Sequence, residues 1–182
     1  MKCLINVVAS TLLLVFGSSL ALAAEFPKLQ SPILLTSAGQ SPDVNTVKVL
    51  ANKAQLTNVT YKPMATANDL SGVKTLLVTV GVSHKGFGVA GTNLDTESAR
   101  VNALLSAAKS NHIPVVVIHI GGVEGREALS QKILDVVAPK GDAFIVYVQG
   151  NGDGFFTKSA GGKPLILANK PMELVQIFSA HK

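Results

Sequence analysis

Gly86, Gly88 and Gly91 stand at the GxGxxG spacing just after the apolar run Leu76 to Val80. That is the pattern by which a strand, a tight turn and a helix start bring backbone N–H groups against a dinucleotide pyrophosphate. The surroundings argue against this chemistry. A dinucleotide fingerprint follows the first strand, and its glycines lie inside the first turn of the helix. Here the motif follows the third apolar run, and the next helical stripe begins only near Thr92 to Asp95. The following run, VVVIHIGG, also ends without the acidic residue that should stand about 20 positions on to hold a ribose. Gly81 to Asn93 is therefore read as a long Gly-rich ligand loop, weighed against a plain surface loop, and no cofactor is expected.

A second stretch with usable chemistry is TSAGQSPDV, Thr36 to Val44, between the first apolar run and the first helical stripe. It offers hydroxyls, an amide and Gly39 where the N–H groups of a helix start can hold an anion, and its plain reading is a strand-to-helix turn capped by Ser41. Ser37 as nucleophile with His84 as base would be a hydrolase arrangement, but the GxSxG elbow is absent and no motif places an acid. His84, His112 and His119 lack the i, i+4 spacing of a helical zinc pair, so no metal site is expected. His112 reads as a solvated helix-end residue. His119 reads either as a core histidine or as a partner of His84 across one crevice. QGNGDGFF, Gln149 to Phe156, has part of a calcium-loop pattern, but Gln149 stands where the first Asp belongs and Ala160 where the bidentate Glu belongs. A Gly/Asn turn is expected there.

The elements that would position these residues follow from periodicity. Ile33 to Leu35, Leu76 to Val80, Val115 to Ile120, Ala143 to Val148 and Leu165 to Leu167 are continuously apolar, as parallel strands covered on both faces are, while Val59 to Lys62 alternates like an edge strand. Between them Val44, Val47, Leu50, Ala51 and Ala54 recur at helical spacing, as do Val101, Leu104, Leu105 and Ala108, then Leu129, Ile133, Val136 and Val137. A short last helix is expected over Met172 to Ala180. Alternating strands and helices specify a three-layer, doubly wound α/β fold with a mainly parallel, flavodoxin-like or Rossmann-like sheet of order 2-1-3-4-5, the Leu165 run being a candidate sixth strand at the edge. In such a sheet the crevice opens between the first and third strands, where Thr36 to Pro42 and Gly81 to Asn93 meet.

Of the chain's 182 residues, 1–23 read as a signal peptide. Lys2 is followed by an apolar stretch from Leu4 to Phe16, a Gly-Ser-Ser break and Ala21-Leu22-Ala23 as a small-residue cleavage site. The stretch is shorter than the roughly 20 residues of a spanning helix, so no stable membrane anchor is expected. Residues 24–31 read as a polar linker and 32–182 as one α/β domain. The single cysteine, Cys3, would leave with the leader, which excludes disulfides and a cysteine nucleophile from the processed protein. The formal charge of +5 is spread without a Lys/Arg run or interleaved aromatics, so nucleic acid is not an expected partner.

PILLTSAGQS, DLSGVKTLLVTVG, SHKGFGVAG, HIGG and NGDGFFT together give the chain, from Pro32 to about Phe178, a form that resembles a family of exported bacterial α/β proteins classed as a domain of unknown function. The resemblance implies export and a single α/β domain. It brings no activity, cofactor or catalytic residue with it.

The expected function is that of a periplasmic or secreted binding domain that holds a small polar or anionic ligand at the carboxyl ends of the strands. The expected contacts are Ser37, Gly39, Gln40, Ser41, Ser83, His84, Lys85, Gly86 and His119. The alternative is a hydrolase or transferase using the same crevice with a histidine as acid or base. A serine hydroxyl hydrogen-bonded to a histidine that is itself held by a carboxylate would favour the enzyme.

Overall fold

The computed structural model describes residues 24–182, so the expected leader and Cys3 lie outside the described residues. Six parallel strands form one sheet in the order β2-β1-β3-β4-β5-β6. They are β1 (Ile33–Ala38), β2 (Val59–Tyr61), β3 (Thr75–Val80), β4 (Val115–His119), β5 (Ala143–Tyr147) and β6 (Leu165–Ala168). The order is the one expected from the alternation of runs and stripes, and the Leu165 run is the sixth strand, paired with β5 through Ile145↔Ile166.

Helices cover both faces, so each central strand buries alternate residues in two separate cores. On one face Leu34, Leu76, Val78, Val117 and Phe144 pack against α3 (Leu94–Ser110), α4 (Ala128–Val137) and α5 (Phe155–Ala160). On the other, Ile33, Leu35, Leu77, Val116 and Ile145 pack against α1 (Asp43–Lys53) and α6 (Leu174–His181). Continuous apolar runs are the sequence consequence of this double burial. Among the described residues, no helix is long and apolar enough to cross a membrane.

Three local features differ from the sequence reading. First, β1 continues to Ala38, because Thr36, Ser37 and Ala38 pair with Val78, Thr79 and Val80 of β3. The strand thus absorbs the first three residues of what reads as a loop: Thr and Ser interrupt the apolar run, but their main chain completes the ladder. Second, the segment 24–31 is not a free linker. Phe26 and Leu29 are buried in the α1/α6 core, Leu29 N–H donates to His181 O at 2.6 Å, and Thr75 Oγ1 donates to Gln30 O at 2.8 Å. Third, Gly81 to Asn93 is not a long loop. Seven of its residues form α2 (His84–Ala90), capped by Ser83, whose Oγ accepts the Gly86 N–H at 3.0 Å, and closed by Gly91 in the left-handed region at φ 63°.

Candidate functional site

The opening glycines acquire separate local explanations once α2 is a helix. Gly86 lies against the main chain of Gln40: a Cβ built there would stand 2.0 Å from Gln40 O. Gly91 supplies the left-handed turn that ends α2. Gly88 has no atom within 4 Å of a built Cβ. The pair Gly86→Ala and Gly88→Ala therefore separates packing from propensity. Gly86→Ala is expected to destabilise by roughly 1–3 kcal/mol through overpacking, and Gly88→Ala to stabilise by roughly 0.5–1 kcal/mol through helix propensity. Urea melts of the two variants check this, and equal effects would mean that α2 does not pack on Gln40 as described.

Gln40 is the centre of the arrangement. It is a non-glycine residue in the left-handed region (φ 58°), follows Gly39 at φ 101°, and bridges antiparallel to Val82. Such a conformation persists only where the surroundings over-determine it. Here they do. Gly39 N–H donates to Glu97 Oε1 at 2.9 Å and Gln40 Nε2 to the same oxygen at 2.8 Å. Ser83 N–H donates to Gly39 O at 2.9 Å, and Ser41 N–H to Gly81 O at 3.1 Å. The turn after β1 is thus tied to the turn after β3 and to the first turn of α3.

Glu97 is fully buried, with 0 % of its surface exposed. Arg100, one helical turn on, donates from Nε to Glu97 Oε2 at 2.8 Å and from Nη2 to Oε1 at 2.7 Å. Its remaining donors reach Ala65 O at 2.6 Å and Ser37 O at 2.7 Å, so one guanidinium joins α3 to the end of β1 and to the segment after β2. Burial by itself would raise the Glu97 carboxyl. The Arg100 guanidinium and the donors from Gly39 and Gln40 outweigh it and hold the group below its ordinary range.

Above this framework a groove of about 660 Å³ opens at the carboxyl ends of β1, β2 and β3. Its apolar wall is made by Pro42, Val44, Pro63, Met64, Val89 and Ala90, of which Val89 is 84 % exposed. The polar wall is Gln40, Asn45, Tyr61 and Ser83, with Lys62 and Lys85 as the cations. Tyr61 OH donates to Asn45 Oδ1 at 2.5 Å, and Lys62 Nζ pairs with Asp69 at 2.7 Å. Lys85 has no such partner among the described residues.

Five of the expected contacts line this groove: Gln40, Ser41, Ser83, Lys85 and Gly86. Gly39 lies behind it, holding Glu97. His84 is exposed in the first turn of α2 but does not line the groove. Ser37 does not reach it, because the lengthened β1 carries the residue into the sheet, where its Oγ is buried without a hydrogen-bond partner. Ser41 is engaged one position outside its expected role. The helix begins at Asp43 with Pro42 as the flanking residue, and Ser41 Oγ accepts the Asp43 N–H at 3.2 Å. The next two N–H groups, of Val44 and Asn45, turn back to Ser41 O and Pro42 O, so the start of α1 is satisfied within the chain.

His119 is a core residue. Nδ1 lies 3.0 Å from Val80 O and Nε2 3.3 Å from Gly122 O, while the ring stacks on Phe156 at a centroid distance of 5.3 Å. Gly125 and Gly150 close around it; a Cβ at either would fall 2.9 or 2.5 Å from an imidazole carbon. A neutral imidazole has one N–H, and the shorter contact assigns it to Nδ1. Burial, reinforced by the Arg126 charge, lowers the pKa from 6.5 against the pull of the two carbonyls and Asp43. The sign follows: the unfolded chain takes up this proton first, so the neutral ring's contribution is complete above pH 6.5 and is lost as pH falls through the depressed folded value. In an NMR titration the His119 ring should stay neutral as the pH falls below 6.5. Protonation of the ring at or above pH 6.5 would contradict the burial described here.

The sequence reading missed Glu97, Arg100 and Tyr61. Glu97 had a signal: it stands four residues before Val101 and so extends the buried stripe of Val101, Leu104, Leu105 and Ala108. A charged residue on a core stripe calls for a partner, and Arg100 at i+3 provides it. The Asn/Gly turn also proved richer than expected. Asn151 Oδ1 accepts the N–H groups of Phe156 and Thr157, starting α5, and Asp153 pairs with Arg126 at 2.8 Å.

No hydrogen bond among the described residues joins a serine hydroxyl to a histidine ring; both His119 nitrogens face main-chain carbonyls. No curated protein and no solved structure matches the chain. A family model does match, over residues 30–181 and hence from just before β1 to the end of α6. The chain belongs to a family described as a domain of unknown function, DUF6305.

Proposed function

We propose that the protein is an exported binding domain whose groove takes a small anionic ligand with an apolar body. The observation that carries this reading is the composition of the groove: a mostly apolar concavity of about 660 Å³ at the carboxyl ends of three strands, flanked by Lys62 and Lys85 and lacking a carboxylate in its wall. Ligand sites in open α/β sheets occupy this edge, and they combine apolar walls with a few placed polar groups. Lys62 is paired with Asp69 at 2.7 Å, so Lys85 is the principal counter-charge. Since the start of α1 is satisfied internally, the anion is held by side-chain cations and not by the N–H groups of that helix.

Calorimetric titration with heptanoate and with heptylammonium tests the reading, because the two share chain length and differ in the sign of the head group. Heptanoate should bind and heptylammonium should not. Lys85→Ala should weaken heptanoate by about tenfold, the loss of one charge-assisted hydrogen bond, without a change in the thermal midpoint. Equal binding of the two probes, or an unchanged affinity in Lys85→Ala, would overturn it.

A further inference from the structure

We infer that the groove selects a ligand that carries an N–H or O–H donor beside its anionic group, as a 2-hydroxy or 2-amino carboxylate does, and that Gln40 reads this donor. The inference rests on the binding reading above and names the ligand class for that same groove.

A glutamine side chain offers two N–H donors and one carbonyl acceptor, and which end faces which partner is decided by the partners. Gln40 Nε2 stands 2.8 Å from Glu97 Oε1 and 3.4 Å from Pro63 O. Both partners can only accept: one is a carboxylate locked by Arg100, the other a main-chain carbonyl. The nitrogen end is therefore fixed inward and both of its protons are spoken for. What Gln40 has left is Oε1, an acceptor without a partner among the described residues, on a residue that lines the groove. An occupant that fills the groove must give this oxygen a hydrogen bond or leave a desolvated acceptor unpaired, and the second costs affinity.

Lys85 lines the same groove as Gln40. Lys85 precedes Gly86, whose main chain packs on that of Gln40, a Cβ built at Gly86 falling 2.0 Å from Gln40 O, so the backbone positions that carry the cation and the amide are adjacent. In this proposal the two recognised groups of the ligand sit close together, since the residues that read them are neighbours in space. A carboxylate with a hydroxyl or amine on the adjoining carbon has that spacing, and the remaining chain of such a molecule faces Pro63, Met64 and Val89. Glu97 and Arg100 do not touch the ligand in this scheme. They are positioning residues that keep the Gln40 amide from turning over.

Matched probes test this: 4-methylpentanoate and 2-hydroxy-4-methylpentanoate, titrated calorimetrically into the full processed protein. The hydroxy acid should bind the wild type about tenfold more tightly, one hydrogen bond's worth. In Glu97→Gln the neutral amide at position 97 can donate to Gln40 Oε1, freeing the Gln40 nitrogen to face the groove, and the preference should shrink or reverse. Gln40→Asn keeps a residue type tolerant of the left-handed backbone but shortens the amide, and it should bring the ratio close to one even where Glu97→Gln does not fold. Equal binding of both acids to the wild type would overturn the inference and leave the anion-binding reading intact. Failure of both acids to bind would overturn both. A wild-type preference that persists undiminished in Gln40→Asn would assign the donor's recognition to another residue and so refute the role of Gln40.

Discussion

Replacing Leu77 by Ala is expected to destabilise the protein by roughly 2–5 kcal/mol, from lost transfer free energy together with the cavity left behind. Leu77 is fully buried in the middle of β3, paired in register with Leu35 of β1 and Val116 of β4. Its side chain enters the core under α1 and α6, with Ile33, Leu35, Ile118 and Phe178. Neighbours on both flanking strands are themselves fixed by ladder hydrogen bonds, so the site can collapse little when the side chain is shortened, and the cost should fall in the upper part of the range. Chemical denaturation of the variant gives the value directly. A loss of a few tenths of a kcal/mol would mean that β3 is not the central strand. Because Leu77 lies three residues before the end of the strand, the groove should survive in the folded fraction, and heptanoate affinity measured well below the melting temperature should be unchanged.

The sheet was legible because its signal is redundant. Each central strand announces itself through an unbroken apolar run, and each crossover through a stripe at helical spacing, so small errors of boundary do not change the order of strands. The expected order held through all six strands. What failed was local and had local causes. β1 was cut short at Leu35 since Thr36 and Ser37 are polar, yet both are buried, and Thr36 satisfies its hydroxyl on Pro63 O at 3.0 Å. α2 was taken for a loop because three of its surroundings' glycines argue against helix by propensity alone; its Ser83 cap and the packing of Gly86 on Gln40 override that weak preference. Phe26 and Leu29 stand singly among polar residues, and a lone aromatic in a polar stretch gives no periodicity from which burial can be read.

The candidate site was half legible for the same reason. The two turns that form it were found from topology, since crevices in open α/β sheets occur where the strand order reverses. Gln40, Ser41, Ser83, Lys85 and Gly86 came with those turns. The groove's other wall comes from Tyr61 at the end of β2 and from Lys62, Pro63 and Met64 after it, and nothing in that stretch resembles a motif. It joins the site only because β2 lies beside β1 at the sheet edge. His119 went the opposite way: its position at the end of β4 suggested the crevice, but the glycines around it let the loops close over the ring. The dependence of a site on such non-local packing is what a single sequence conveys least well.

Replacing Glu97 by Ala is the substitution with the widest expected consequence. Removing one member of a buried ion pair strands the other, and losses of roughly 3–5 kcal/mol are usual in that case. Here the loss has three parts. The Arg100 guanidinium, whose side chain is only 9 % exposed, would keep its two carbonyl partners but lose its counter-ion. The Gly39 N–H and the Gln40 amide would lose the acceptor they share. Gln40 would also lose the contact that holds it in the left-handed region, so the groove floor should loosen with the fold. The pH dependence is fixed in sign. The carboxyl's folded pKa lies below its ordinary value of 4.5, so its stabilisation is complete above that value and is lost as pH falls through the depressed one. The gap in thermal midpoint between wild type and Glu97→Ala should therefore be widest at neutral pH and narrow in acid below the ordinary glutamate range. A gap that stays constant down to the lowest pH at which both proteins fold would show that the carboxylate is not the charged partner of Arg100. A variant of wild-type stability at neutral pH would remove Glu97 from the framework of the site altogether.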